Sequence, residues 1–222
     1  MTAAPDVAIP LAGAQLAATV VVPPEAVGVV LFAHGSGSSR HSPRNRMVAG
    51  HLNDRGFATV LADLLTADEE MTDASTGALR FDIGLLGARM TALVDWAAGA
   101  EQTRGLPIGL FGASTGAAAA LVAAAERPAL VEAVVSRGGR PDLAGDALGA
   151  VRAPVLLIVG ERDRQVVTLN QYAAAMLTAP YEISVVSGAT HLFEEPGALA
   201  EVADRAAAWF ETYLRWQPPQ RS

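Results

Sequence analysis

The sequence predicts an α/β fold, a sheet sandwiched between helices, on three observations. Short apolar or β-branched runs recur along the chain, each bounded by turn residues. Several of these runs are apolar at nearly every position, as in strands buried on both faces of a parallel sheet. Longer stretches with helical spacing lie between them, so that strands and helices alternate after the first two strands.

In chain order the predicted strands are Ala17–Val22, Val27–Ala33, Phe57–Ala62, Ile108–Phe111, Val131–Val135, Val155–Val159 and Ile183–Val186. The first two follow each other closely, which predicts an antiparallel start. Arg40, His41 and Arg44 fall where the first helix begins, near Pro43. Ile83, Leu86, Met90, Leu93, Val94 and Ala97 keep the i, i+3/i+4 spacing of an amphipathic helix. Val202, Ala206, Trp209, Phe210 and Tyr213 repeat that pattern near the end. The 222 residues suit one domain over 1–216, with a tail at 217–222.

Composition removes whole classes of function. Hydrophobic residues make up 51% of the chain, too many for disorder. A net charge of −7, from 16 basic and 23 acidic residues, argues against a nucleic-acid partner. No apolar run is long enough to span a membrane, and the opening residues lack the basic flank of a signal peptide, so the expected location is cytoplasmic. Without cysteine there is no disulfide, thiolate metal site or cysteine nucleophile. All the basic residues are arginine, and without lysine there is neither a P-loop lysine nor Schiff-base chemistry. Four histidines without an HExxH pattern make a zinc site unexpected. Hydroxyls, carboxylates, arginines and histidines remain for chemistry.

The strongest motif is Gly112-Ala-Ser114-Thr-Gly116, a G-x-S-x-G between a buried strand and an alanine-rich helix. On such a turn a serine is held in a strained conformation with its oxygen clear of the sheet, and the flanking glycines give the room. A nucleophilic serine needs a base and an orienting acid, in the order serine, acid, histidine. His191 is the only histidine after Ser114. The acid is expected after Val155–Val159, where Gly160-Glu161-Arg-Asp163 offers two carboxylates. The turn favours Asp163, with Glu161 and Asp142 as alternatives. A Gly/Ser loop, His34-Gly35-Ser36-Gly37, follows an early strand, and Ser36 N–H with Thr115 N–H is the expected oxyanion hole. His34 reads as a structural residue stiffening that loop. Asp63 reads as a rim residue with no catalytic role.

These residues together resemble the α/β-hydrolase superfamily, in its small lidless dienelactone hydrolase-like branch, over essentially the whole chain. The resemblance implies an eight-stranded, mostly parallel sheet and a cofactor-free, metal-free esterase. It departs at the nucleophile, because dienelactone hydrolases proper carry cysteine where this chain has Ser114; ordinary ester hydrolysis is favoured. About twenty residues separate Val135 from Val155, too few for a helical cap, so an open site taking small esters is expected. Arg137, in Ser136-Arg137-Gly-Gly-Arg140-Pro-Asp142, lies at the sheet's carboxyl edge. It reads either as a clamp for a substrate carboxylate or as a loop arginine paired with Asp142 or Glu161. Acyl transfer or perhydrolysis with the same triad, and a non-catalytic small-molecule receptor on the same fold, are the rival readings.

Overall fold

A computed structural model describes residues 6–214. Eight strands form one sheet: β1 (Asp6–Leu11), β2 (Ala14–Val21), β3 (Gly28–Ala33), β4 (Phe57–Ala62), β5 (Ile108–Ala113), β6 (Val131–Arg137), β7 (Val155–Gly160) and β8 (Tyr181–Val186). Their order across the sheet is β1-β2-β4-β3-β5-β6-β7-β8. β1 pairs antiparallel with β2 and β2 antiparallel with β4, while every other pair is parallel. The sheet is the mostly parallel, α/β-hydrolase one that the sequence predicts.

Two details differ from the sequence reading. The expected antiparallel start is present, but β2 does not pair with β3; β4 lies between them. The eighth strand, β1, is absent from the predicted runs because it is an edge strand burying only Ile9 fully. An edge strand has one neighbour and carries little apolar signal.

β3, β4, β5 and β7 are buried at every residue, which explains their unbroken apolar runs. Helices cover both faces. On one side lie α1 (Pro43–Asp54) and α6 (Ala198–Tyr213), whose Val48, Leu52, Val202 and Phe210 pack with Phe32 and Phe111 of the sheet. On the other lie α3 (Ile83–Gly99), α4 (Gly116–Glu126) and α5 (Arg164–Ala174), preceded by the short α2 (Ala67–Thr76). The helical spacing read at 83–97 is realised in α3, which buries Leu86, Met90, Leu93, Val94 and Ala97. Burying each of the four larger side chains contributes about 1.5–3 kcal/mol.

The helix starts follow from local chemistry. Ser42 caps α1 with Pro43 in its first turn, and Thr66 with Glu69 forms a reciprocal capping box on α2. The α1 start matches the placement expected near Pro43. Two short 3-10 helical pieces joined by a kink at Gly145, together spanning Pro141–Ala150, are the one helical segment between β6 and β7, and no cap domain covers the strand ends among the described residues. No helix among the described residues is long and apolar enough to cross a membrane. The tail expected at 217–222 lies outside the described residues.

β3 leads through α1 to β4 on one side, and the chain then crosses through α3 to β5 on the other. The loops after β3 and β5 therefore diverge from adjacent strands. That divergence is the switch point at which open α/β sheets form their ligand crevice.

Candidate active site

Ser114 follows the last residue of β5 and adopts φ of +51°, a left-handed backbone rare for residues other than glycine. Such a residue costs about 1–3 kcal/mol and persists only when its surroundings hold it. Here its N–H donates to Arg137 O at 3.3 Å, and its carbonyl accepts from Arg140 N at 2.9 Å and Ala117 N at 3.1 Å. Both motif glycines are forced by close approach. A Cβ on Gly116 would collide with the carbonyl of Ala33, and one on Gly112 with the backbone of Ala117.

The imidazole of His191 stands on the loop after β8, with Nδ1 at 2.6 Å from Asp163 Oδ2. Asp163 ends the turn after β7 at the start of α5, so two neighbouring parallel strands deliver the pair. With Nδ1–H given to the carboxylate, Nε2 keeps its lone pair. The imidazole is 40% exposed and the carboxylate 16%, a geometry that leaves the ring reachable and its partner shielded.

The other two candidate acids are engaged elsewhere. Glu161 accepts from Gly188 N at 2.7 Å and from the Ser187 hydroxyl at 3.0 Å, contacts that hold its carboxyl below the usual range. It fastens the loop that carries His191. Asp142 is paired with Arg140. Asp63 pairs with Arg40 in a separate groove, away from Ser114.

His34 lies buried under the loop after β3. Its Nδ1 is 3.0 Å from Gly35 O and its Nε2 accepts from Leu64 N at 3.1 Å. Both nitrogens are occupied by backbone, which fixes one neutral tautomer and ties the ends of β3 and β4 together. Ser36, next in that loop, donates its N–H to the Thr115 hydroxyl at 2.9 Å. The loop thus touches the elbow through the N–H expected to face an oxyanion. For that role it must exchange the hydroxyl for the substrate's oxygen.

Ser114, His191, Ser36 and Arg137 line one cavity of about 260 Å³. Three larger grooves, of about 610 to 690 Å³, lie elsewhere and contain none of these four residues. Arg137 is 6% exposed and pairs with neither Asp142 nor Glu161. Its Nη2 donates to Asn45 Oδ1 at 3.1 Å, and its guanidinium carbon sits 6.0 Å from the centre of the Phe193 ring. Burial, and then the nearby Arg44, pushes its pKa down to about 10. Asn45 is a site residue the sequence reading did not single out. Its signal was present: with Val48, Ala49 and Leu52 it occupies the buried stripe of α1, where an asparagine needs a partner.

The model of the dienelactone hydrolase family matches residues 15–217. The chain belongs to the dienelactone hydrolase family. The crystal structure of dienelactone hydrolase from Anabaena variabilis superposes with a TM-score of 0.93 at 54% identity, covering 95% of this chain and 97% of that one. Est1E from Butyrivibrio proteoclasticus shares the fold, with a TM-score of 0.77 at 17% identity over 93% of this chain and 98% of its own. Two Mycobacterium tuberculosis proteins, provisionally named phosphoribosyl transferases, are 55% identical over 206 residues, or 93% of this chain. The chain spans only 44% of their length. As a family member it is dienelactone hydrolase-like over residues 15–217 and has the α/β-hydrolase fold.

Proposed function

We propose that this family member is a serine hydrolase cleaving small carboxylic esters through an acyl-enzyme. One observation carries the reading. A serine in left-handed conformation shares a cavity with a histidine whose far nitrogen is 2.6 Å from a carboxylate.

In this mechanism Ser114 Oγ attacks the ester carbonyl carbon while His191 Nε2 takes the hydroxyl proton. Asp163 holds the tautomer and stabilises the imidazolium. The negative charge on the former carbonyl oxygen is received by Thr115 N–H at the start of α4 and by Ser36 N–H, released from the Thr115 hydroxyl. Collapse of the tetrahedral intermediate breaks the bond to the alcohol, which leaves with the proton from His191. Water then attacks the acyl-enzyme, gives its proton to His191, and the acid departs as Ser114 is reprotonated.

The reading rests on the site. The name carried by the M. tuberculosis relatives belongs to proteins more than twice as long as the matched segment. A fluorophosphonate probe with peptide mapping tests it. The probe should label Ser114, and Ser114→Ala should abolish labelling and lower turnover of p-nitrophenyl acetate by several orders of magnitude. Labelling at Ser36 or Ser38 would overturn the assignment. Added alcohol or peroxide that diverts the acyl group would mark a transferase or perhydrolase, and tight ligand retention without turnover a receptor.

A further inference from the structure

The peptide between Gly35 and Ser36 is pinned on both sides. Its carbonyl lies 3.0 Å from His34 Nδ1 and accepts from Ser38 N at 3.1 Å. Its N–H donates to the Thr115 hydroxyl at 2.9 Å. Below this contact the two elements meet backbone to backbone. A Cβ on Gly116 would lie 2.2 Å from Ala33 O and 2.5 Å from His34 O, so the start of α4 is pressed against the end of β3. The hydroxyl and the N–H are thus held together from both sides.

The Thr115 hydroxyl has an uncommon set of bonds. Thr115 is the N-cap residue of α4, where a threonine hydroxyl ordinarily accepts from the second or third N–H of its own helix. Here it makes no such bond, and its backbone is already helical, with φ of −61° and ψ of −27°. It accepts instead from a residue 79 positions away. A hydroxyl also has one proton to give and can turn it to suit its surroundings. Thr115 is 4% exposed, and that proton has no acceptor among the described residues. A buried donor left without a partner is unfavourable. The hydroxyl also adjoins both groups that the proposed mechanism turns on the oxyanion. It is bonded to the N–H of Ser36, which lines the cavity of Ser114 and His191, and it belongs to the same residue as the other N–H.

We propose that the Thr115 hydroxyl is a third donor to the oxyanion, engaged by Ser36 N–H until charge develops. This rests on the serine hydrolase reading above and adds a catalytic group to it. At rest the hydroxyl is an acceptor. A neutral ester carbonyl is no better an acceptor than the hydroxyl already in place, which needs no immobilising. A charged oxygen forms hydrogen bonds about twice as strong. It therefore takes the Ser36 N–H, and the hydroxyl, relieved of that N–H, turns its own O–H on the same oxygen. One hydrogen bond within the resting protein becomes two to the oxyanion, beside that of Thr115 N–H. The hydroxyl keeps its proton throughout. Because the exchange requires the charge, it stabilises the transition state more than the bound ester.

The test uses Thr115→Val, which keeps the shape and loses the hydroxyl, and Thr115→Ser, which keeps the hydroxyl. Two inhibitors of one chain length separate charge from fit. Butylboronic acid takes Ser114 Oγ onto boron and becomes a tetrahedral anion, whereas butyl methyl ketone presents a neutral carbonyl. In Thr115→Val, kcat on p-nitrophenyl acetate should fall about 10- to 100-fold with KM within about threefold. Inhibition by the boronic acid should weaken by a similar factor, and inhibition by the ketone should change by less than about threefold. Thr115→Ser should recover most of the loss in both kcat and boronic acid affinity.

A Thr115→Val enzyme with kcat/KM unchanged or raised would overturn the proposal, since the hydroxyl would then only block the hole. Parallel weakening of ketone and boronic acid would also overturn it, by making the hydroxyl a prop for the loop. So would equal losses in both variants accompanied by lower melting temperatures, which would assign the effect to packing. A wild-type chain that neither turns over p-nitrophenyl acetate nor takes a fluorophosphonate at Ser114 would be the separate failure of the hydrolase reading.

Discussion

Gly35 offers a direct way to disturb the nucleophile from a residue that takes no part in the chemistry. It follows His34 in the loop after β3. A Cβ built there lies 2.9 Å from Ser114 Cβ, 3.2 Å from Ala113 O and 3.6 Å from Ser114 Oγ. Carbon atoms prefer about 3.5–4.0 Å, so Gly35→Ala creates an overlap of roughly 0.6 Å or more. Neither neighbour is the end of a flexible side chain; both belong to the backbone turn that holds Ser114 at positive φ. The loop or the elbow must move by that amount. Misplacing a reacting group by about 1 Å costs up to roughly 100-fold, and 0.6 Å should cost about tenfold or more in kcat. Overpacking of this kind costs about 1–3 kcal/mol of stability, or roughly 2–12 °C in Tm at this chain length. Gly50→Ala in α1 is the matched control, because nothing lies within 4 Å of its Cβ. It should leave activity unchanged and raise stability by about 0.5–1 kcal/mol. Turnover of p-nitrophenyl acetate and thermal melts followed by circular dichroism read both variants. A Gly35→Ala enzyme within about threefold of wild type in kcat would refute the reasoning, since the contact with Ser114 would then have no consequence for catalysis.

Asp163→Asn should lower kcat by roughly 10³–10⁴-fold, because an amide favours the wrong imidazole tautomer. Glu161→Gln, which weakens only the anchoring of Ser187 and Gly188, should stay within about tenfold; the reverse ranking in steady-state kinetics would exchange the roles of the two acids. Acyl chains of about two to six carbons should be preferred, because each buried methylene is worth about 0.8 kcal/mol and the cavity cannot bury many. The highest kcat/KM on a p-nitrophenyl decanoate in a chain-length series would contradict this.

What could be read from the sequence was local, and what could not be read was competition in three dimensions. The elbow was legible because its requirements fall within Gly112 to Gly116. Strand to helix, small residues and serine are all contiguous there. The central strands were legible because burial on both faces leaves no room for alternation. β1 was not, since an edge strand that buries Ile9 alone looks like a loop containing Pro10. The pairing of β2 with β4 depends on residues about forty apart. The freedom of Arg137 was undecidable for a similar reason. Asp142 is within easy reach in sequence but is taken by Arg140, and Glu161 is taken by the turn at Gly188. Nor could the sequence foresee the bond from Ser36 N–H to the Thr115 hydroxyl, which joins residues 79 apart.

One strand end does two jobs in this arrangement, and that has a consequence for specificity. The carbonyl of Arg137 and the N–H of Arg140 hold the backbone of Ser114 in its strained conformation. Arg137 is also in register with Ala113, the residue before the nucleophile. The distance between the guanidinium and Ser114 is therefore set by the β5–β6 ladder, with Asn45 of α1 fixing the side chain's direction. Sites built on strands and helices hold their geometry more tightly than sites built on loops. A substrate group seated against Arg137 would thus be held at a rigid spacing from the nucleophile. Preference among substrates should then vary sharply with the number of atoms between that group and the ester, whereas a contact on a loop would tolerate a broad range.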